Sequence, residues 1–242
     1  MIYTIATQKG GTGKTTTAAV IAQAAAHAGK KALAIDLDPQ GNLTFALAAD
    51  ARRAGSYDLL HGTPAADVIQ HSPQGLDVIS ASLDLQTESS GKGTARRLQE
   101  ALEPLKRKYG IITIDTPAKA GELQYNALQA ADRLIIVLEA DSFSLQSLYQ
   151  IADTTAQIQQ SNPRLKLAGV LIARYEGKAN IDKYLLEQIE QTAKALHIPY
   201  LGVVRKGKDV KEAIAFQQSL FDYAPKSNPA IDYMAIYKKL TR

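Results

Sequence analysis

The sequence contains no cysteine among its 242 residues. A disulfide framework, a zinc site built on cysteine and a thiolate-ligated iron–sulfur cluster are therefore excluded. The chain also lacks any apolar run that approaches the ~20 residues needed to span a bilayer. It begins directly with a core strand, where a targeting signal would have a basic stretch and an apolar segment. We expect a cytoplasmic protein.

Hydrophobic residues make up 45% of the chain, which is enough to bury one full core. We predict a single domain spanning residues 1–242. The net charge of +4 is unevenly distributed: residues 1–163 hold 14 Lys and Arg against 16 Asp and Glu, whereas residues 164–242 hold 14 against 8. This asymmetry suggests an anionic partner, with nucleic acid the first candidate, although a modestly basic surface is also common in proteins that bind none.

A glycine-rich stretch, residues 8–16, lies between an apolar strand, Ile2–Ala6, and an alanine-rich helix predicted over residues 15–28. Glycines allow backbone N–H groups to curl around phosphate oxygens, and the helix N-terminus adds a partial positive charge. In such a loop Lys14 would reach the β- and γ-phosphates of a nucleotide, and the Thr15 hydroxyl would bind Mg²⁺. The stretch predicts a phosphate-binding loop.

The general phosphate-loop pattern G-x-x-x-x-G-K-[ST] requires glycine at position 8, where this chain has Gln8, and the chain supplies a second lysine, Lys9, instead. This K-G-G-T-G-K-T-T run resembles the deviant Walker A box of the ParA/MinD family of ATPases. The resemblance implies ATP and Mg²⁺ as ligands, an ATP-bound homodimer, and a Lys9 that reaches the partner's nucleotide. The nucleotide-binding residues are then Gly10, Gly11, Thr12, Gly13, Lys14, Thr15 and Thr16. The alternative is a glycine-rich turn with two solvated lysines.

Two carboxylates follow the second predicted strand, residues 31–35. Asp36 and Asp38 are spaced i, i+2, so they point to the same side of an extended chain, at the edge where α/β folds bind ligands. The D-x-D-P-Q-G-N run resembles the second signature of the same family. That resemblance implies that Asp38 positions or activates the attacking water and that Asp36 supports the Mg²⁺ shell. A strand-ending Asx turn is the alternative.

A third carboxylate ends the predicted strand 110–115. An apolar strand with Asp115 at its carboxyl end has the Walker B arrangement, in which the acid holds a Mg²⁺-bound water beside the phosphate loop. Family members usually carry two prolines shortly after this aspartate. Here the second is replaced by Ala118, which leaves the geometry of the following loop open.

Strands and helices alternate along the chain. Further strands are predicted at 76–79, 133–139, 166–173 and 200–204, and further helices at 94–109, 142–160, 180–196 and 228–242, with short helical turns at 56–60 and 64–69 and a polar loop at 87–93. We expect the helix 180–196 to be capped by Asn180 and to bury Ile181, Leu185, Ile189 and Leu196. The last helix is expected to dock through Ile231, Met234, Ile236 and Leu240. The pattern predicts an α/β fold, a mostly parallel twisted sheet with helices on both faces, as in P-loop NTPases of the deviant Walker A class.

Basic residues concentrate after the last predicted strand: Arg205, Lys206, Lys208 and Lys211. In ParA-like proteins the corresponding turn and helix bind DNA through its phosphates, without reading sequence. Asp209 stands about where relatives have an arginine, so the match is partial, and a solvated helix start is the alternative. The cations of the helix 94–109, among them Arg107 and Lys108, are interpreted as a solvated face.

The resemblance covers the whole chain and implies a ParA/Soj-type ATPase, cytoplasmic and nucleoid-associated. Such an enzyme dimerises with ATP, binds non-specific DNA, and moves a plasmid or chromosome with a ParB-like centromere-binding partner. No helix-turn-helix segment precedes the loop, which argues against an operator-binding repressor. Alternatives are a MinD-like positioning ATPase, disfavoured because the last helix lacks the pattern of a membrane anchor, and a nucleotide-dependent binding module with negligible turnover. Tyr223, Tyr233 and Tyr237 are too sparse to indicate a tyrosine autokinase.

Overall fold

A computed structural model describes residues 1–7, 9–87, 96–119 and 121–241. Gln8, most of the predicted loop 87–93 and the beginning of the predicted helix 94–109 lie outside the described residues. The strands are β1 (Ile2–Ala6), β2 (Ala32–Asp36), β3 (Ile69–His71), β4 (Asp77–Ile79), β5 (Ile111–Asp115), β6 (Arg133–Leu138), β7 (Lys166–Tyr175) and β8 (Tyr200–Arg205). The α-helices are α1 (Lys14–His27), α2 (Asn42–Ala46), α3 (Ser56–Leu60), α4 (Ala65–Val68), α5 (Arg97–Leu102), α6 (Glu122–Ala130), α7 (Ser144–Gln159), α8 (Asn180–Ala195), α9 (Lys208–Ala215), α10 (Leu220–Tyr223) and α11 (Asn228–Leu240).

The strands form one eight-stranded sheet in the order β3-β4-β2-β5-β1-β6-β7-β8. Every neighbouring pair is parallel except β3 with β4, which is antiparallel. The predicted fold class is confirmed. The antiparallel edge strand β3 was not predicted, because its three residues are too few to show a strand pattern and Ile69 had been assigned to the preceding helical turn.

The central strands are buried on both faces, which explains their continuous apolar runs. Ala32 and Ala34 of β2 face α1, whose small alanine side chains pack close to the sheet, and the same core includes α11. Leu33 and Ile35 face the opposite way, into a core that α3 and α5 complete. A third core joins β6 and β7 to α7 and α8. The phosphate loop is thereby held between a rigid strand and a rigid helix.

Three predicted details are wrong. The helix 94–109 is broken: α5 ends at Leu102 and a 3₁₀ turn, Glu103–Arg107, follows. Pro104 has no N–H to donate to an α-helical hydrogen bond, so the backbone tightens there. Asn180 does not cap α8, since it is the first helical residue and Ala179 is the N-cap, where the Asp182 carboxylate accepts the Ala179 N–H at 3.4 Å. Ile181 is exposed rather than buried.

The terminal helix α11 docks through Ile236, as predicted, with Met234 and Leu240 partly buried against the same core, but the prediction for Ile231 is wrong. Ile231 is 52% exposed, whereas Tyr233, Ile236 and Tyr237 are buried. The Tyr233 hydroxyl lies 3.1 Å from the Thr17 hydroxyl on α1. Tyrosine was not counted in the apolar pattern, although a buried tyrosine needs only one partner for its hydroxyl.

The sheet ends at β8, and two of its backbone groups bond to α11. Lys239 Nζ donates to the Leu201 carbonyl at 2.7 Å, and the Arg205 N–H donates to an Asp232 carboxylate oxygen at 2.9 Å. Within the described part of the chain, no helix is both long and apolar enough to cross a membrane.

Candidate nucleotide-binding site

The phosphate loop connects β1 to α1 in the middle of the sheet. β5 lies directly beside β1, and β2 beside β5, so three neighbouring carboxyl ends surround the loop. Gly11 and Gly13 have φ values of +74° and +94°, a region that side-chain-bearing residues rarely adopt. A Cβ on Gly13 would lie 3.5 Å from Ala173 Cβ, which is an ordinary contact, so the requirement comes from the backbone angle. The glycines predicted from the pattern are therefore required by the backbone at these two positions.

Lys14 begins α1 and is 6% exposed. Its Nζ donates to the Lys9 carbonyl at 3.3 Å, so the side chain curls back over the loop. Burial lowers the pKa of Lys14, an effect that the nearby carboxylates of Asp115 and Asp38 partly offset. A buried ammonium group at the centre of a loop of this shape is suited to an anion such as a phosphate.

Asp36 and Asp115 stand opposite each other in the register of β2 and β5, and both are fully buried. The carboxylate of Asp36 accepts hydrogen bonds from the Asp38 N–H at 3.0 Å and from the Thr44 N–H and hydroxyl at 2.8 Å. Burial nevertheless raises the pKa of Asp36 to about 6. Burial, together with the charge of Asp36, raises the pKa of Asp115 well above its usual range. A cation bound beside this pair would favour the ionised form of both acids.

The Asp115 carboxylate fits Mg²⁺. Its Oδ2 is buried and has no hydrogen-bond partner among the described residues, while Oδ1 accepts the Thr116 N–H at 3.0 Å. The Thr15 side chain lies against the same carboxylate and acts to lower its pKa. Over the ranges that the structure describes, no group of three or more His, Cys, Asp or Glu side chains could hold a metal by itself. Mg²⁺ commonly takes one or two protein carboxylates and completes its shell with water and substrate phosphates, so Thr15 and Asp115 could serve it.

Asp38 lies on the loop after β2, half-buried, and its carboxylate accepts the Gln40 N–H at 3.0 Å. It lines a cavity of about 330 Å³ together with the phosphate loop, Phe45 and Ala118. Ala118, the residue that replaces the second proline, therefore forms part of the cavity wall. Of the predicted residues, the loop from Gly11 to Thr16 and Asp38 are brought to one cavity.

A second cavity, of about 560 Å³, adjoins the first at Gly13 and Thr16. It lies at the carboxyl ends of β7 and β8, where Ala173, Val204 and Tyr233 give it an apolar wall. Its size and position suit the nucleoside part of a nucleotide whose phosphates occupy the loop.

Arg174 lies between the two cavities and was missed as a site residue. Its guanidinium contacts the Glu139 carboxylate and the Gly11 carbonyl, and its backbone has φ of +54°. An arginine directly after a buried strand was a signal that could have singled it out.

Lys9 is held within its own chain. Its Nζ pairs with the Asp141 carboxylate at 2.6 Å and lies 5.8 Å from the centre of the Phe143 ring. Both partners follow β6, and neither was predicted. The Lys9 side chain is 39% exposed, so it is accessible from the mouth of the site.

The four predicted DNA-binding residues all line the cavity of about 560 Å³, but they differ in how their charges are paired. Arg205 pairs with Asp232 through two nitrogens, at 2.9 and 2.7 Å, and Lys206 pairs with Glu176. Lys208 lies on α9, 82% exposed and 3.5 Å from Glu212, and Lys211 is exposed on the same helix with no ion pair to any described residue. Of the four, Lys208 and Lys211 are the most available to an anion.

Comparison with known proteins gives consistent results. A family model described as an AAA domain matches residues 1–167. The chromosome-partitioning ATPase Soj of Thermus thermophilus is 33% identical over 98% of this chain and 93% of its own length. The chromosome partitioning protein ParA of Caulobacter vibrioides is 34% identical over 99% and 93%. A crystal structure of cobyrinic acid a,c-diamide synthase from Mycobacterium smegmatis with bound ADP and magnesium is 28% identical, covers 96% of this chain and 90% of its own, and superposes with a TM-score of 0.81.

These relatives match nearly the whole chain, and the model match includes the phosphate loop and all three strand-end aspartates. The chain therefore belongs to the AAA domain family of P-loop proteins and, within it, to the Soj/ParA group of partitioning ATPases.

Proposed function

We propose that the chain is an ATPase whose ATP-bound dimer binds DNA non-specifically and drives the partitioning of a plasmid or chromosome. The observation that carries the proposal is the convergence of Lys14, Asp38 and the adjoining pair Asp36 and Asp115 on one loop in the middle of the sheet. The 33% identity to Soj over 98% of the chain supports the cellular role.

In this proposal the chain's own groups divide the work on ATP. The backbone of residues 10–16 and the Lys14 ammonium group hold the phosphates, and the adjoining cavity takes the nucleoside. Thr15 and Asp115 would hold Mg²⁺, with Asp36 supporting its shell, and Mg²⁺ would neutralise charge on the phosphate oxygens. Asp38, half-buried at the rim, would orient the attacking water. A carboxylate at this position suits general-base or orienting work, because it is near the phosphates without being sealed in the core.

The role proposed for Lys9 is in a homodimer, where it would reach the partner's nucleotide. The Lys9–Asp141 ion pair bears on that role, since it must open before Lys9 can leave its own chain. An ion pair between two partly exposed groups is typically worth no more than about 1 kcal/mol, so the phosphates of a second site could replace Asp141 as its partner. Dimer formation would then be coupled to ATP.

The proposed DNA contact is by Lys208 and Lys211 on α9. Arg205 and Lys206 are in supporting positions, because their ion pairs are closer than the 3.5 Å pair of Lys208 with Glu212. Ile214 of the same helix lines the phosphate-loop cavity, so α9 borders both the nucleotide and the proposed DNA surface. A ParB-like centromere-binding protein is the proposed partner that stimulates hydrolysis. The proposed location is the cytoplasm, on the nucleoid.

The experiment that tests this function measures binding to random-sequence duplex DNA with ATP, with ADP and without nucleotide, alongside phosphate release and molar mass by light scattering. We expect ATP alone to produce a dimer and to strengthen DNA binding. Lys9→Ala should retain ATP binding and lose the dimer, Asp38→Ala should retain the dimer and lose phosphate release, and Lys208→Gln with Lys211→Gln should reduce DNA binding for all sequences. An unchanged molar mass with ATP, or DNA binding equal in all three nucleotide states, would refute the proposed switch.

A further inference from the structure

A row of exposed cations lies at the amino edge of the sheet, opposite the nucleotide site. Its six members, called here the amino-edge row, are Lys30, Lys31, Arg107, Lys108, Arg164 and Lys166. Each is at, or within a few residues before, the start of β2, β5 or β7. These strands span the segment β2-β5-β1-β6-β7 of the sheet, which at ~4.8 Å per strand is about 19 Å.

The row consists of two neighbouring groups. Before β2 and β5, Lys31 and Lys108 lie over the same ring, with their Nζ atoms 5.9 and 5.4 Å from the centre of Tyr109. At the start of β7, Lys166 follows Arg164 by two residues. Arg107 of the first group and Arg164 of the second both act to lower the pKa of Glu103, after the larger effect of Lys106. The two groups therefore share one edge of the sheet.

Three acidic side chains at this edge, Asp77, Glu103 and Asp132, form their hydrogen bonds and ion pairs with groups outside the row. Asp77 accepts hydrogen bonds from the Tyr109 hydroxyl at 2.6 Å and interacts with the His71 ring at 3.0 Å. Glu103 pairs with Lys106 at 2.8 Å. Asp132 accepts the Ile2 N–H at 2.8 Å and lies 3.9 Å from Lys106. In the described ranges, none of the six row residues forms an ion pair, which leaves their charges available to an external partner.

The opposite edge differs in this respect. There, Lys9, Arg174, Arg205 and Lys206 are each paired with a carboxylate of the same chain. Among the described residues of that edge, Lys119, Lys178 and Lys211 are exposed without an ion pair, so the amino-edge row gathers more unpaired cations than the edge at the nucleotide site.

We propose that the amino-edge row is a second docking surface for duplex DNA, which it contacts through the phosphate backbone independently of nucleotide. Two groups of cations spread over about 19 Å of one edge suit a linear polyanion that carries one charge per ~1.7 Å of its axis. A membrane is a less suitable partner, because several exposed apolar residues usually accompany the basic ones there. Leu165, between Arg164 and Lys166, is fully buried, and Met1, before β1, is 45% exposed at this edge.

This surface goes beyond the proposed ATP-dependent contact and does not require it. The amino ends of the strands lie a full strand length from the phosphate loop, so DNA bound there would compete neither with ATP nor with a partner subunit facing the nucleotide site. Its contribution should be the same with ATP, with ADP and without nucleotide.

The test compares two triple variants that lose the same charge. The row variant is Arg107→Gln, Arg164→Gln, Lys166→Gln, and the control is Arg53→Gln, Lys183→Gln, Lys194→Gln, which removes three exposed cations elsewhere. Binding to a random-sequence duplex of about 24 base pairs is measured without nucleotide over a salt series. We expect the row variant to bind about tenfold more weakly at low salt and to reduce the slope of log K against log salt by roughly 2 to 3, at ~0.9 per phosphate contact. The control should stay within about twofold of the unmodified chain.

Equal losses in the two triple variants would show an effect of net charge alone and would overturn the proposal. A row variant that keeps its DNA affinity but no longer binds phosphatidylserine vesicles would also overturn it, in favour of a membrane surface. Repeating the series with ATP on the Lys208→Gln, Lys211→Gln variant separates the two surfaces. If ATP does not strengthen DNA binding by the unmodified chain, that result counts against the proposed function and leaves the result for the amino-edge row intact.

Discussion

At the scale of single residues, the burial of Lys14 costs free energy of folding when no anion is bound beside it. Its ammonium group is buried, its pKa is lowered by that burial, and its nearest bonded partner is a neutral carbonyl 3.3 Å away. A buried charge with such partners costs free energy of folding. The affinity for phosphate therefore includes relief of this cost.

We predict that Lys14→Ala abolishes ATP binding without reducing the stability of the nucleotide-free protein. Thermal unfolding with and without ATP-Mg²⁺ checks this. The melting temperature without nucleotide should be equal to or above that of the unmodified chain, and the ATP-induced increase should disappear. Lys183→Ala, on an exposed face of α8, is the control and should keep the full increase. A variant that retains half or more of the increase would argue against Lys14 as a phosphate ligand.

A second residue-scale case is Asp77, which joins the edge strands β3 and β4 to the segment before β5. Burial alone would raise the pKa of Asp77, but hydrogen bonds from Tyr109 and His71 outweigh it and hold the pKa below its usual value. Because the folded-state pKa is depressed, the stabilisation is present above the unfolded pKa of about 4 and is lost as pH falls through the folded value.

We predict that Asp77→Asn lowers the free energy of unfolding by about 1–2 kcal/mol at pH 7, and that this difference narrows below about pH 4. Urea unfolding of both proteins at several pH values measures it. Tyr109→Phe removes one of the two hydrogen bonds and should give a smaller pH-dependent loss. If the difference in free energy of unfolding between Asp77→Asn and the unmodified chain is constant from pH 7 to pH 3, the ionised Asp77 carboxylate is not the source of the stabilisation.

At the scale of elements, the short helix α2 depends on side chains from other parts of the chain. Gln74 Nε2 donates to the Ala46 carbonyl at 2.8 Å and to the Gln217 carbonyl at 2.9 Å, and its Oε1 accepts from Gln23 of α1 at 2.7 Å. The Gln217 side chain in turn donates to the Phe45 carbonyl at 2.9 Å. A five-residue helix is marginal by itself, so these bonds fix α2 against α1 and the end of α9.

We predict that Gln74→Ala destabilises the fold by about 2–3 kcal/mol, since it leaves two carbonyls and the Gln23 amide without partners. Hydrogen exchange should show faster opening of residues 42–48 than of α1. Gln191→Ala removes a glutamine from an exposed helix face and should change stability by less than about 0.5 kcal/mol. Equal exchange rates for α2 in the two variants would mean that packing alone holds this helix.

Elements with a strong local signal could be predicted from the sequence, and those determined by long-range contacts could not. The apolar runs of β1, β5 and β6 and the alanine-rich α1 gave correct elements, because burial on both faces leaves a continuous apolar signature. The three-residue strand β3 depends on pairing with β4, and the sequence analysis did not predict it. No helix was predicted over residues 122–130, so α6 was also missed. Periodicity carries little information over three residues.

The candidate site likewise contains residues that a local sequence pattern predicts and residues that only long-range contacts bring into place. The loop glycines, Lys14 and the three aspartates follow patterns with fixed spacing, and they lie together at one edge of the sheet. The Asp141 partner of Lys9 and the position of Arg174 over the loop depend on how β6 and β7 are placed beside β1, which no local pattern encodes. The roles assigned to these residues stay predictions until the variants are measured.

At the scale of the whole molecule, the last helix closes the core. Tyr233, Ile236 and Tyr237 of α11 are buried together with residues of α1, β1 and β8, and the Tyr3 hydroxyl donates to the Leu240 carbonyl at 2.7 Å. Burying three large side chains contributes on the order of 5–8 kcal/mol, which is comparable with the total stability of a domain.

We predict that a chain ending at Ser227 loses cooperative unfolding and binds a hydrophobic dye such as ANS. Calorimetry and dye fluorescence check this. Because the truncated chain is expected to misfold, Tyr233→Phe provides a milder second variant, which should fold and lose about 1 kcal/mol. Ile231→Ala, at an exposed position of the same helix, should be neutral. A truncated chain that melts within a few degrees of the full one would show that α11 is an appendage.

The bonds between α11 and β8 also bear on self-association. An edge strand with open backbone groups can recruit the edge of another molecule and extend into a cross-β ladder. Here the Leu201 carbonyl is occupied by Lys239 and the Arg205 N–H by Asp232. The sheet therefore terminates within the molecule on this side. Neighbouring molecules can then crowd side by side without their sheets fusing at this edge, and assembly on this side is left to contacts between faces.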